Sequence, residues 1–141
     1  SYCGLEHRME WTRTLRGVRY FNDSKATNPH AAITGLRSMD GPLVVIAGGY
    51  DKGLDLDEFV QVLDQMKAVV LTGPVGHRLF PRLGSTKTKM AESLEEAVSI
   101  AGDIALSGDT VILSPGSSSF DEFKSFGQRG DTFKRFVSEL V

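Results

Sequence analysis

"PLVVIAGGYDKG", residues 42–53, runs through five apolar residues, Leu43 to Ala47, and then breaks into two glycines, a tyrosine, an acid and a lysine. An apolar run without a polar face reads as a strand buried on both sides, the mark of a parallel sheet covered by helices. The neighbouring segments repeat the alternation. "VRYF" (18–21) precedes the helix-like "NPHAAITGLRSM" (28–39), "PLVVIAGG" precedes "DLDEFVQVLDQM" (55–66), and "AVVLTG" (68–73) precedes "GHRLFPRL" (76–83). "TVILSPG" (110–116) precedes "FDEFKSF" (120–126) and "DTFKRFVSEL" (131–140). A further strand is expected over 86–91, before a helix capped by Ser93 and reinforced by Glu96 three residues on. The fold class is therefore α/β: a Rossmann-like, doubly wound, mostly parallel sheet flanked by helices in a single domain.

With 141 residues and 40% apolar content the chain can bury one core. Residues 1–16, strand-like around Met9 to Thr14, read as a lead-in from a preceding domain, and residues 17–141 as the domain itself. The net charge of -2 arises from interspersed acids and bases, so neither a nucleic-acid surface nor a polybasic membrane anchor is expected. Cys3 is the sole cysteine and can form no internal disulfide. No apolar run approaches a membrane span and no signal-like segment opens the sequence, which makes the cytoplasm the expected location.

In open α/β sheets ligands lie beyond the carboxyl ends of the strands, so the residues after each apolar run carry the functional information. Four tips stand out: Asn22 to Asn28 ("NDSKATN"), Gly48 to Gly53 ("GGYDKG"), Pro74 to Arg78 ("PVGHR") and Ser114 to Ser119 ("SPGSSS"). Asp, Asn and Ser also serve turns and helix caps, so one such tip would mean little. Together they place Lys25 and Lys52 at separate tips with three consecutive serines at another, a set suited to carboxylate or phosphate groups. His77 and Arg78 read as the first turn of a surface helix. Trp11, Phe59, Phe80, Phe133 and Phe136 mostly read as core, whereas Phe120, Phe123 and Phe126 fall at i, i+3, i+6 beside the serine tip, so one face could pack inward while its end lines a pocket. The chain carries neither G-x-x-x-x-G-K-[ST] nor G-x-G-x-x-G, and no H-E-x-x-H, C-x-x-C or G-x-S-x-G. Asp23 with Lys25 could form an acid/base pair, but a spacing of two across a strand end does not establish one.

"FNDSKATNPHAA", "VVIAGGYDKG" and "ILSPGSSSFDEFKSFGQRGDTFKRFVSEL", with the opening "GLEHRMEW", resemble the carboxyl-terminal domain of the Mur ligases, in their D-glutamate-adding branch. The resemblance runs in order along nearly the whole chain. It implies an ATP-dependent amide ligase of peptidoglycan synthesis, in which the carboxylate of UDP-N-acetylmuramoyl-L-alanine is phosphorylated and the acyl phosphate is attacked by the amine of D-glutamate. Carried over by position, Thr27, Lys52, Ser119, Phe120 and Phe126 match the D-glutamate pocket, and Arg8, Asp23 and Lys25 match residues that approach ATP. The resemblance puts the P-loop, the Mg2+ ligands and the muramoyl-nucleotide site in N-terminal and central domains of the same parent chain, so this domain alone is expected to be inactive. It also implies closure about a hinge near residues 1–6. Gln128, Arg129 and Gly130 look family-like without an assigned role, Arg129 being read as an anchor for the last helix. Two alternatives stay open on the residues: a related Mur- or folate-type ligase domain for another amino acid, or a non-catalytic anion- or nucleotide-binding α/β module.

Overall fold

The computed structural model describes residues 6–84 and 86–141. Cys3 and nearly all of the expected hinge lie outside the described residues. Among the described residues six strands form one sheet in the order β1-β2-β6-β3-β4-β5, with β1 Glu10–Leu15, β2 Val18–Asn22, β3 Leu43–Gly48, β4 Ala68–Thr72, β5 Thr88–Met90 and β6 Thr110–Leu113. Only the β1–β2 pair is antiparallel, joined by a tight turn in which Arg16 and Gly17 take left-handed φ values. The mostly parallel sheet read from the sequence is therefore observed. The strand-like stretch of the lead-in is β1, hydrogen-bonded into this sheet as its edge.

Alternation along the buried strands sorts side chains onto two cores. Val45, Ala47, Val69, Leu71 and Ile112 face the helices α1 Pro29–Arg37, α2 Asp57–Leu63 and α3 Gly73–Leu79. Val44, Ile46, Val70, Val111 and Leu113 face α4 Leu94–Ile104 and α5 Phe126–Glu139. Phe59 and Phe133, one in each core, are fully buried as expected. Trp11 and Phe80 are not: Trp11 stands on the edge strand with its indole N–H donating to Thr14, and Phe80 sits in a surface 3-10 turn.

Caps define the helix starts. The Asn28 carboxamide accepts from the Ala31 N–H ahead of Pro29, and the Ser93 hydroxyl accepts from the Glu96 N–H as the sequence predicted. The reciprocal bond is offset by one residue, because the Glu96 carboxylate accepts from the Glu92 N–H instead of from Ser93. Residues 120–125 do not form the helix that the spacing of Phe120, Phe123 and Phe126 suggested. Ser125 caps α5 by accepting from the Gln128 N–H at 3.0 Å, while the Gln128 side chain accepts from the Lys124 N–H at 2.7 Å. That S-x-x-Q cap fixes the helix start at Phe126 and leaves 120–125 as a turn. His77 and Arg78 close α3 rather than open it, since the helix begins at Gly73 directly after β4.

Topology decides where ligands can bind. β6 lies between β2 and β3, and the helix that follows β6 covers the opposite face from those that follow β2 and β3. The chain thus leaves the tips of these three neighbouring strands in opposite directions, and such a switch opens a crevice at their carboxyl ends.

Candidate functional site: two clefts at the sheet's carboxyl edge

The loop after β2 is built by its polar residues. Asn22 is buried: its carboxamide oxygen accepts from the Ser24 N–H at 3.0 Å, and its NH2 group contacts His7 Nδ1 at 2.9 Å and Glu10 Oε1 at 3.1 Å. The Lys25 N–H donates to the His7 carbonyl and the Ala26 N–H to the Asp23 carbonyl. Residues 7–9 are tied to this loop, with His7 and Met9 in left-handed backbone (φ 66° and 46°) and the Met9 N–H donating to Asp23 Oδ1 at 3.1 Å. Arg8, between them, is exposed at the mouth of a cleft of about 420 Å³.

That cleft is lined by Arg8, Asp23, Lys25, His30 and Thr34, with Gly35 at its wall. A Cβ at Gly35 would lie 2.7 Å from Asp23 Oδ2, so α1 approaches the carboxylate this closely because residue 35 has no side chain. Burial is the largest influence on Asp23 and pushes its carboxyl up to about 6, against the Met9 amide and the Arg8 charge, which pull it down. The Lys25 ammonium stands 5.3 Å from the Phe126 ring centroid, and His7 meets the same ring edge-on at 6.2 Å. All three residues matched to the nucleotide, Arg8, Asp23 and Lys25, therefore meet in one cleft. Phe126, matched to the amino acid, stands beside Lys25.

The second group assembles across the tips of β2, β3 and β6. Thr27, Lys52, Ser117 and Ser118 line a crevice of about 10 Å³, too small for an amino acid in this domain by itself. Two interactions fold the loop after β3 over it: Arg78 forms an ion pair with Asp51 at 2.9 Å and donates to the Leu54 carbonyl at 3.0 Å. A short bridge from the Tyr50 N–H to the Ser118 carbonyl joins this loop to the serine tip. The approach depends on Gly49, whose φ is +146° and whose Cβ would lie 2.6 Å from that carbonyl. Ser119 is buried, and Phe120 is 60% exposed with its ring edge-on to Tyr50. Among the described residues no hydrogen bond or ion pair occupies the ammonium groups of Lys25 and Lys52, in contrast to Lys67 and Lys134, which are held by carboxylates. Two ammonium groups without an ion-pair partner, at the tips of β2 and β3 on either side of β6, suit an anionic ligand.

Four residues of this framework carry no role in the sequence reading: His7, Asn22, Ser24 and Arg78. For a fifth, Arg129, the sequence suggests only an anchor for the last helix. Its signal was visible, since it falls in register with Phe133 and Val137 on the buried stripe of α5. Among the described residues the one group of three potential metal ligands is Glu6, His7 and Asp131, and the Lys134 ammonium already lies within 4.0 Å of both carboxylates. That set does not fit a magnesium site, which needs oxygen ligands free of a competing cation.

These features define an α/β domain that offers cations and hydroxyls at the switch point of a parallel sheet. More particularly, the chain belongs to the Mur ligase family: residues 7–116 match the family described as Mur ligase, glutamate ligase domain. It is 42% identical over 144 aligned residues to the UDP-N-acetylmuramoylalanine--D-glutamate ligases of Alkaliphilus oremlandii and of Caldicellulosiruptor saccharolyticus, covering 99% of this chain. The chain spans about a third, 32%, of the length of these curated relatives. Among solved structures it resembles the MurF ligase of Thermotoga maritima in complex with ADP, at 16% identity and TM-score 0.67 over 99% of this chain and 33% of that one. It also resembles E. coli FolC in complex with ADP, at 20% identity and TM-score 0.67 over 95% of this chain and 32% of that one. At these identities the structural likeness establishes the fold, which is the one read from the sequence.

Proposed function

We propose that this domain serves an ATP-dependent amide ligase that joins D-glutamate to UDP-N-acetylmuramoyl-L-alanine, and that its two clefts divide the work. The observation that carries the reading is the separation of two lysines at the strand tips: Lys25 in the wider cleft with Arg8 and Asp23, Lys52 in the crevice with Thr27 and the serine tip. In the reaction a muramoyl-alanine carboxylate oxygen attacks the γ-phosphorus of ATP and ADP leaves. The glutamate nitrogen then attacks the acyl carbon, loses a proton, and inorganic phosphate departs with its electron pair. Activation is needed because a carboxylate expels oxide poorly, whereas phosphate leaves readily.

Within that scheme Lys25 and Arg8 neutralise phosphate charge, and Asp23 orients the backbone that carries Arg8 by accepting from the Met9 N–H. Lys52 pairs with a glutamate carboxylate, and Thr27 and Ser119 supply hydroxyls. Phe120, edge-on to Tyr50 at the crevice, and Phe126, beside Lys25, supply apolar surface on either side of the incoming amino acid. The crevice is completed by other domains of the parent chain, whose closure also shields the acyl phosphate from water. Magnesium supplies charge neutralisation at the phosphates from ligands elsewhere in that chain. The cytoplasm, where ATP and the nucleotide-linked substrate occur together, is the compartment this reading requires.

The test is phosphate release by the parent chain with ATP, magnesium and UDP-N-acetylmuramoyl-L-alanine, offered D-glutamate, L-glutamate, L-lysine or diaminopimelate in turn. Release with D-glutamate alone is expected. Release with another amino acid would keep the ligase chemistry and reject the pocket assignment, and none with any of them would leave an anion-binding module.

A further inference from the structure

We infer that Arg129 is a positioning residue for the lysine of the wider cleft, acting through Ser24 and with its neighbour Gly130 as a socket for residues 7 and 24. The inference rests on the proposed ligase reading for its kinetic consequence, though not for its structural one.

Arg129 is 4% exposed. Its Nε donates to Ser24 Oγ at 2.9 Å and its Nη2 to the Ser24 carbonyl at 2.8 Å, so the guanidinium grips both polar ends of one residue 105 positions away. Ser24 in turn donates its hydroxyl to the Phe126 carbonyl at 2.7 Å, which pins the loop to the first turn of α5. Ser24 sits between Asp23 and Lys25, so whatever fixes it fixes the residues that enter the cleft on either side. The next helical position completes the clamp: a Cβ at Gly130 would lie 2.1 Å from His7 Nδ1, so the imidazole packs where a side chain would stand. His7 reaches Asn22, and Asn22 reaches the Ser24 N–H, which closes a ring of contacts through residues 7, 22, 24 and 129–130. Arg8 and Lys25 are the cations that this ring projects outward, and the His7 carbonyl accepts directly from the Lys25 N–H.

A stabilising anchor alone would not favour this residue. Burying a guanidinium is costly, and a well-packed apolar side chain commonly serves stability better. No carboxylate lies within ion-pair distance of Arg129 among the described residues, and burial lowers its pKa to about 10, where it remains charged at neutral pH. Its third nitrogen, Nη1, is buried without a hydrogen-bond partner among the described residues and would lie 3.3 Å from a Cβ at Gly49. One charged group thus spans the backbone of the Lys25 loop and that of the Lys52 loop. Its planar fork supplies what an ammonium cannot, two donors held at fixed angles to a hydroxyl and a carbonyl.

The experiment is a double-mutant cycle in the complete parent chain with Arg129→Met, Arg129→Lys, Ser24→Ala and the Arg129→Met/Ser24→Ala pair, read by kcat and KM for ATP and by amide hydrogen exchange of residues 22–28. Each single variant at Arg129 is expected to lower kcat/KM for ATP at least tenfold and to speed exchange in 22–28, with β3 and β4 exchange unchanged. Arg129→Lys should fail to restore either property, because it keeps the charge and loses the fork. Arg129→Met should cost markedly less when Ser24 is already alanine. Additive effects, rescue by lysine, or unchanged exchange in 22–28 would overturn the inference. A parent chain that releases no phosphate with any amino acid, yet shows the exchange pattern and its non-additivity, would overturn the ligase reading while supporting the positioning role.

Discussion

Asp23→Asn tests the electrostatics of the wider cleft and can be measured on the chain itself. Asparagine keeps an Oδ1 acceptor for the Met9 N–H and removes the charge. Burial raises the Asp23 carboxyl from an ordinary 3.8 to about 6. The native state therefore binds more protons than the unfolded chain between those values, and by linkage stability falls as pH rises through that window. The cost of ionised Asp23 is near zero below about pH 3 and complete above about pH 7. A gap of roughly two units at about 1.4 kcal/mol each sets a ceiling of about 3 kcal/mol. The carboxylate borders an open cleft, so solvent screening reduces this to about 2 kcal/mol. Asp23→Asn should then be more stable than the parent by about 2 kcal/mol at pH 7.5 and by about a third of that at pH 4.5. Urea unfolding at both pH values reads the difference as a shift in midpoint at constant slope. An equal gain at the two pH values, or none at pH 7.5, would refute the reasoning. A further consequence concerns ligand: an ionised carboxylate beside Arg8 and Lys25 opposes phosphate, so the variant should also bind a polyphosphate more tightly at pH 7.5, by calorimetry on the parent chain.

Gly49→Ala should lower stability by about 2 kcal/mol or more, since the added Cβ meets the Ser118 carbonyl in a backbone conformation that favours glycine; a midpoint shift in urea smaller than that expected for 0.5 kcal/mol would count against it. Phe59→Ala empties a fully buried site against Gly116 and should cost about 3–5 kcal/mol, read as a large drop in Tm. Ser125→Ala removes the cap of α5 and should cost about 1 kcal/mol, with faster amide exchange confined to the first turn of that helix; exchange that also rises at its far end would show the cap is not local.

The sheet was legible because buried parallel strands have no polar face: Leu43 to Ala47, Ala68 to Leu71 and Thr110 to Leu113 announce themselves by composition. The helix start at Phe126 was less legible, because aromatic residues at i, i+3, i+6 mimic a helical stripe and a side-chain cap was needed to terminate the turn before it. Of the site, Lys25 and Lys52 could be read as cations at strand tips, since the α/β layout puts the ends of apolar runs at one edge. Their assignment to different ligands came from the family resemblance alone, and the geometry of the two clefts could not be read, because it depends on Arg78 drawing the Asp51 loop over the serine tip and on residues 7–9 folding back onto Asp23. Those contacts join segments far apart in the chain. Arg129 shows the limit from the other side: its place on an apolar stripe was visible, but its partner, Ser24, was not.

The division of labour between the two lysines is tested most directly by steady-state kinetics of Lys25→Ala and Lys52→Ala in the complete parent chain, varying ATP and D-glutamate separately. Losing one charge-assisted hydrogen bond costs about 1.5–3 kcal/mol, or roughly one to two orders of magnitude. Lys52→Ala should raise KM for D-glutamate by that factor with KM for ATP unchanged, and Lys25→Ala should lower kcat or raise KM for ATP while KM for D-glutamate holds. The same rise in amino-acid KM in both variants, with ATP dependence untouched, would contradict the account.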